Sequence, residues 1–143
     1  MKTTFDFNPY SNIGPIRFGM TKEEVLLLFP GEDYVEFYRG DEDSAPTGAI
    51  DRLGIFICYD EAMTCEALEF TQSAEFIFEG VNLFEQTYAN VKNIIGRYDA
   101  ELEESESGFT SYKLGFGCFI IDETDQDLPP EGIIAFKRGY YAL

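Results

Sequence analysis

Apolar and polar positions along the chain fall into two similar passages. The first, from Gly14 to Gly31, reads GPIRFGMTKEEVLLLFPG. Thr21, followed three residues later by Glu24, makes a capping box in which each side chain satisfies a backbone donor at a helix start. Met20 and Val25 flank that cap in the positions of a hydrophobic staple, and Leu26 to Phe29 carry the apolar face. Pro30 stops the helix, because its ring cannot continue the hydrogen-bond ladder. The pattern predicts a short helix over 22–29.

The second passage repeats the first after 66 residues. Gly14, Phe18, Thr21, Val25, Leu28 and Phe29 correspond to Gly80, Phe84, Thr87, Val91, Ile94 and Ile95. Thr87 predicts a second cap and a helix over 88–95, ended by Gly96; Asn90 replaces the glutamate of the capping box and weakens it. The same offset links ALEF at 67–70 to IIAF at 133–136. Before these lie two comparable runs, LGIFICYDE and LGFGCFIIDE, which need a small shift to align.

Strand patterns occupy most of the remainder. Residues 3–12 alternate loosely, with Phe5 and Phe7 on one side, as in a first edge strand. Tyr34 to Tyr38 reads as a strand from its aromatic and branched content. Residues 50–70 read as a hairpin whose register the sequence leaves open: a four-residue loop puts Cys58 opposite Cys65, a three-residue loop puts Tyr59 there, and a one-residue slip exchanges the faces. Ala74 to Phe78 is a further short strand. RYDAELEESESG, at 97–108, is an exposed connection, followed by strands at 109–114 and 116–121 joined at Gly115 and a last strand at 133–136. The expected fold is α+β: a single domain over 1–143 with an internal duplication, approximately 14–70 and 80–136. Each half is a helix and a three-stranded antiparallel meander, and the two halves form one sheet with short helices packed on one face.

Charge changes the picture from fold to partners. Twenty-seven acids against 10 bases, with no histidine, give a net charge of -17. No basic footprint exists to release counterions from a nucleic acid, so nucleic-acid binding is not expected. A basic protein partner matches better, because complementary fields speed encounter and penalise wrong partners. Three cysteines, Cys58, Cys65 and Cys118, are an odd number beside an N-terminus, MKTTFDFNPYSN, that lacks the apolar core of an export signal. They are expected to be reduced and mostly buried. No run approaches the roughly 20 apolar residues of a membrane helix, so a cytoplasmic protein with no membrane role is expected.

The segment FGMTKEEV at 18–25 resembles the GMT-x-x-x-V helix entry of the outer-membrane-assembly lipoproteins called SmpA/OmlA, whose fold packs short helices on a three-stranded antiparallel sheet. The tandem layout resembles the β-lactamase-inhibitory proteins. GPIRFGMTKEEV together with IAFKRGYY near the end also resembles small uncharacterised bacterial proteins, some of them similar to immunity proteins of toxin systems. The resemblance implies an interaction module and not an enzyme. The chain departs from the lipoproteins in lacking their lipid-attached cysteine, so their membrane role does not carry over.

Candidate chemistry adds little. Without histidine there is no Ser-His-Asp or Cys-His arrangement, and three scattered cysteines do not supply zinc-ligand spacings. DETDQD at 122–127 lacks the glycine that a calcium loop needs at its turn. Gly115 and Gly117 fit a tight hairpin better than a phosphate loop, since no helix with a lysine follows. No catalytic residue, metal or cofactor is expected.

The function expected is that of an acidic, immunity-type inhibitor covering the basic site of a toxin or nuclease. Three acidic segments are the expected contact residues: Asp41, Glu42 and Asp43; Asp99, Glu101, Glu103, Glu104 and Glu106; and Asp122, Glu123, Asp125 and Asp127. The alternatives are a carboxylate-dependent hydrolase working in a cleft, with two acids at a set separation, and an assembly subunit dimerising through an exposed sheet edge.

Overall fold

The computed structural model describes residues 3–40 and 45–141. The chain begins with β1 (Thr4–Asn8), β2 (Asn12–Ile13), β3 (Ile16–Arg17) and helix α1 (Lys22–Leu28). It continues through β4 (Val35–Phe37), β5 (Thr47–Ile50), β6 (Ile55–Tyr59) and β7 (Cys65–Phe70). Then come β8 (Glu75–Phe78), β9 (Val81–Asn82), helix α2 (Tyr88–Gly96), β10 (Glu103–Ser105), β11 (Gly108–Ser111), β12 (Phe116–Phe119) and β13 (Gly132–Phe136).

The segments 14–70 and 80–136 therefore contain the same succession, a helix followed by an antiparallel meander. Each meander has four strands where the sequence suggested three: β5 is added in the first half, between the expected strand at 34–38 and the hairpin, and the edge strand β10 in the second. The meanders join through β7 and β13 into one eight-stranded sheet, ordered β10-β11-β12-β13-β7-β6-β5-β4. At the join Leu68 faces Ala135 and Glu69 faces Ile134. The 66-residue offset converts one of these pairs into the other, which is the register of an approximate two-fold axis passing between them.

The single sheet expected from the pattern is corrected to two. The strands that precede each helix build a second, five-stranded sheet, β3-β2-β1-β8-β9. Its β2–β3 hairpin turns at Gly14 and its β8–β9 hairpin at Gly80, 66 residues on, both glycines holding the positive φ that a side chain would strain. Between the hairpins runs β1, antiparallel to β2 and parallel to β8. It was expected at an edge and lies at the centre, and it has no counterpart in the second half.

An aromatic seam joins the sheets. Phe5 and Phe7 of β1 and Phe76 of β8 alternate inward with period two. Phe5 meets Phe70 at 5.2 Å between ring centroids, Phe70 meets Phe76 at 5.0 Å, and Phe76 meets Phe116 at 5.8 Å. Each such contact adds about 0.5–1.5 kcal/mol to the area it buries. The helices enter the same core, α2 with Tyr88, Val91, Ile94 and Ile95, and α1 with Val25 alone fully buried. The apolar face expected of α1 is thus narrower than its leucines suggest: Leu27 is 80% exposed. The β6–β7 hairpin takes the register with Tyr59 opposite Cys65, closed by a bulge. The three cysteines are unpaired. No helix among the described residues is long and apolar enough to cross a membrane.

Candidate functional site

Both helix starts are built alike, and their difference shapes the surface. In α1, Thr21 Oγ1 accepts from the Glu24 amide at 3.2 Å, Glu24 Oε1 accepts from the Thr21 amide at 3.1 Å, and the Lys22 amide donates to Met63 O at 3.2 Å. In α2, Thr87 Oγ1 accepts from the Asn90 amide at 3.1 Å. The Tyr88 and Ala89 amides donate to Leu128 O at 2.8 Å and Gln126 O at 3.0 Å. Each helix thus has its orphan donors met by a cap and by the turn before the last strand of its own meander. In the first half that turn is Asp60–Thr64; in the second it is the acidic segment 120–131, held against the positive end of the α2 dipole, where negative charge is favoured.

The second segment is ordered by its own hydrogen bonds. Asp122 Oδ1 accepts from the Thr124 amide and hydroxyl, both at 3.0 Å, and these bonds lower the Asp122 pKa. The Asp125 amide donates to Asp122 O at 2.8 Å, and the Leu128 amide to Asp125 O at 3.1 Å. Asp122, Glu123 and Asp127 face solvent, and Asp125 is half-buried.

This segment lies beside a second acidic one. Gly108 pairs with Phe119, and the Ile120 amide donates to Ser107 O at 2.9 Å, so the β10–β11 turn carrying Glu106 borders the residues leading to Asp122. Glu101, Glu103, Glu104 and Glu106 are exposed. Glu103 and Glu104 form the edge strand β10, and the connection expected at 97–108 is in that part a strand. Three apolar side chains stand among these acids: Phe119, Ile121 and Leu128, 36%, 77% and 54% exposed. Sequence reading missed them as site residues because it ran the strand through Ile121; β12 ends at Phe119, Ile120 turns inward and Ile121 outward.

Asp99 does not join this surface. It is 5% exposed, and its carboxylate accepts from Ser111 Oγ at 2.7 Å and from the Glu101 amide at 2.9 Å, pinning the start of the acidic segment. Asp41, Glu42 and Asp43 lie outside the described residues.

Ion pairing is one-sided. Among the described residues Lys22 pairs with Glu36 at 2.8 Å, Arg39 with Glu69, Arg52 with Glu32, and Lys137 with Asp60 at 3.4 Å. All four of these acids belong to the first half, and Lys137 is a base of the second half serving one of them. Only Glu104, paired with Lys92, is a second-half acid. Glu101, Glu103, Glu106, Asp122, Glu123, Asp125, Asp127 and Glu131 have no cationic partner among the described residues.

No group of three or more metal-ligating side chains occurs among the described residues. Comparison of the chain with protein-family models, with curated proteins and with solved structures found no match.

Proposed function

We propose that the chain is an acidic protein-binding module of the immunity type, an inhibitor that acts in the cytoplasm by covering the basic site of a toxin or nuclease. In this reading the chain arose by duplication of one helix-and-meander unit, and the second copy became the binding half. The observation that carries the proposal is the uneven neutralisation: among the described residues four first-half acids carry ion pairs and one second-half acid does, and the second half sets its unpaired acids in the same segments as the exposed Phe119, Ile121 and Leu128. Unscreened charge acts over about 8 Å at physiological ionic strength and steers a basic surface into register. Exposed apolar side chains in the same segments as the acids supply the short-range contact that charge alone does not give.

Affinity capture on the immobilised protein tests the proposal. A basic protein retained at low ionic strength and released by salt is the expected result, followed by loss of that protein's own activity when the two are mixed. Failure to retain any basic protein, or a retained protein whose activity is unaffected by saturating inhibitor, overturns the inhibitor reading.

One observation bears on the hydrolase alternative. Burial raises the pKa of Glu66, which lines a depression of about 480 Å³ with Asp60 and Cys58. Asp60 is already engaged, with Oδ1 accepting from the Ala62 and Thr64 amides and Oδ2 from the Thr64 hydroxyl and Lys137. Burial pushes the Cys58 thiol up to about 12. Neither Asp60 nor Cys58 is poised as a base or nucleophile at neutral pH, and the binding reading is favoured. Against dimerisation through β10 stands its charge: a second copy pairing there would place Glu103 and Glu104 against like charges.

A further inference from the structure

The outer face of the eight-stranded sheet, turned away from the core, is covered at one end and open at the other. At the covered end the C-terminal segment folds back: Tyr140 stacks on Phe136 at 5.8 Å, Tyr141 meets the same ring edge-on at 4.9 Å, and Arg138 lies 4.2 Å from the centre of the Tyr10 ring. At the open end a groove of about 150 Å³ crosses β7 and β13. Phe56 of β6 and Phe119 of β12 stand on its two sides, Gly132 forms part of its floor, and Glu69, Glu131 and Arg39 line it. That volume is about what a benzene-sized group occupies, so the groove admits one side chain.

Its Phe56 side already displays a bound cation. The Arg39 guanidinium lies 5.5 Å from the ring centres of both Phe37 and Phe56, and its charge is taken by Glu69. The Phe119 side repeats these parts without the cation. Phe119 is flanked across the ladder by Gly108 and Gly132, which leave its ring uncovered, and the Glu131 amide donates to Phe119 O at 2.8 Å, fixing the carboxylate-bearing residue beside the ring. Glu131 has no cationic partner among the described residues.

We infer that the Phe119 side of this groove receives an arginine side chain of the basic partner, its guanidinium against the Phe119 ring and its charge on Glu131. The inference rests on the protein-binding reading above and adds to it the contact that docks first-approach charge into a fixed geometry. An aromatic face and a carboxylate together select a cation, and arginine suits them better than lysine because its planar group stacks while its fork bonds a carboxylate. The adjoining unpaired acids of the β12–β13 loop favour a cationic occupant over a neutral one, and the groove has room for no folded element.

The test is a titration of isotope-labelled protein with the capped peptide acetyl-Gly-Arg-Gly-amide at low ionic strength, followed by amide chemical shifts. The same peptide with neutral citrulline in place of arginine serves as control. Shifts centred on Phe119, Glu131 and Gly132 with the arginine peptide, absent with citrulline, are expected. Phe119→Ala and Glu131→Gln should each weaken binding about two- to fivefold. Glu131→Gln is an exchange at an exposed site and keeps the test valid if Phe119→Ala disturbs the fold. Shifts confined to the acidic loops, with both variants binding like the wild type, overturn the groove and leave the acidic surface standing. The absence of any shift also overturns the groove, and the fate of the protein-binding reading is then decided separately by the capture experiment.

Discussion

The two halves of the molecule share a frame and differ in what they do with their charge. In the first half the helix is short, the turn before the last strand is a closed loop around Asp60, and four acids are ion-paired, three to bases of the same half and Asp60 to Lys137. In the second half the helix buries four side chains, the corresponding segment spans 120–131, and among the described residues Glu104 alone of the acids is ion-paired. The better-anchored helix carries the longer acidic loop, because the loop carbonyls at Gln126 and Leu128 are what its first amides bond. A pre-ordered loop loses little conformational freedom when a partner arrives. Stability and display are therefore coupled in the second half and separate in the first.

The largest effect that tests this comparison lies where the halves meet. Phe76 touches Phe7, Phe70 and Phe116, so Phe76→Ala should cost about 3–5 kcal/mol in denaturant unfolding. Next come the paired positions Val25 and Val91, both fully buried at the same place in the repeat. Val25→Ala and Val91→Ala should each cost about 2 kcal/mol. A large cost at one and none at the other would break the equivalence. The caps are the next smaller pair: Thr21→Ala and Thr87→Ala should each cost about 1 kcal/mol.

The smallest effect is the pH dependence that Asp60 contributes in the first half. Hydrogen bonds from Thr64 and Ala62, with Lys137, hold the Asp60 pKa at about 2, below its ordinary 3.8. A folded-state pKa that is depressed gives stability that is full above 3.8 and is lost as pH falls through about 2. Acid unfolding of Asp60→Asn should lack that slope, and thermal melts across this range would show it. Because the Asp60 side chain is still 24% exposed and its interactions are partly screened, the difference should be modest.

What the sequence disclosed follows from which forces are local. Capping is local, so Thr21 and Thr87 marked both helix starts, and the 66-residue offset marked the succession of helix and strands. The second sheet was hidden because β1 pairs with β8 across 71 residues, and no spacing within either strand announces a partner. Asp99 looked like its acidic neighbours, yet the Ser111 hydroxyl that buries it comes from another strand. Ile121 and Leu128 looked like strand and loop filler; they became site candidates only when the ladder ended at Phe119.

If the second half is the binding half, the ionic-strength dependence of the association rate with the captured basic partner will show it. Three proteins should be compared: the wild type, a variant with Glu106, Asp122, Glu123 and Asp127 changed to their amides, and one with Glu23, Glu24, Asp33 and Glu61 changed likewise. The two variants lose equal charge. The second-half variant should associate at least about tenfold more slowly at low salt, with a nearly flat salt dependence, while the first-half variant stays close to the wild type. Equal slowing of both variants would show that only total charge matters, and would contradict the claim.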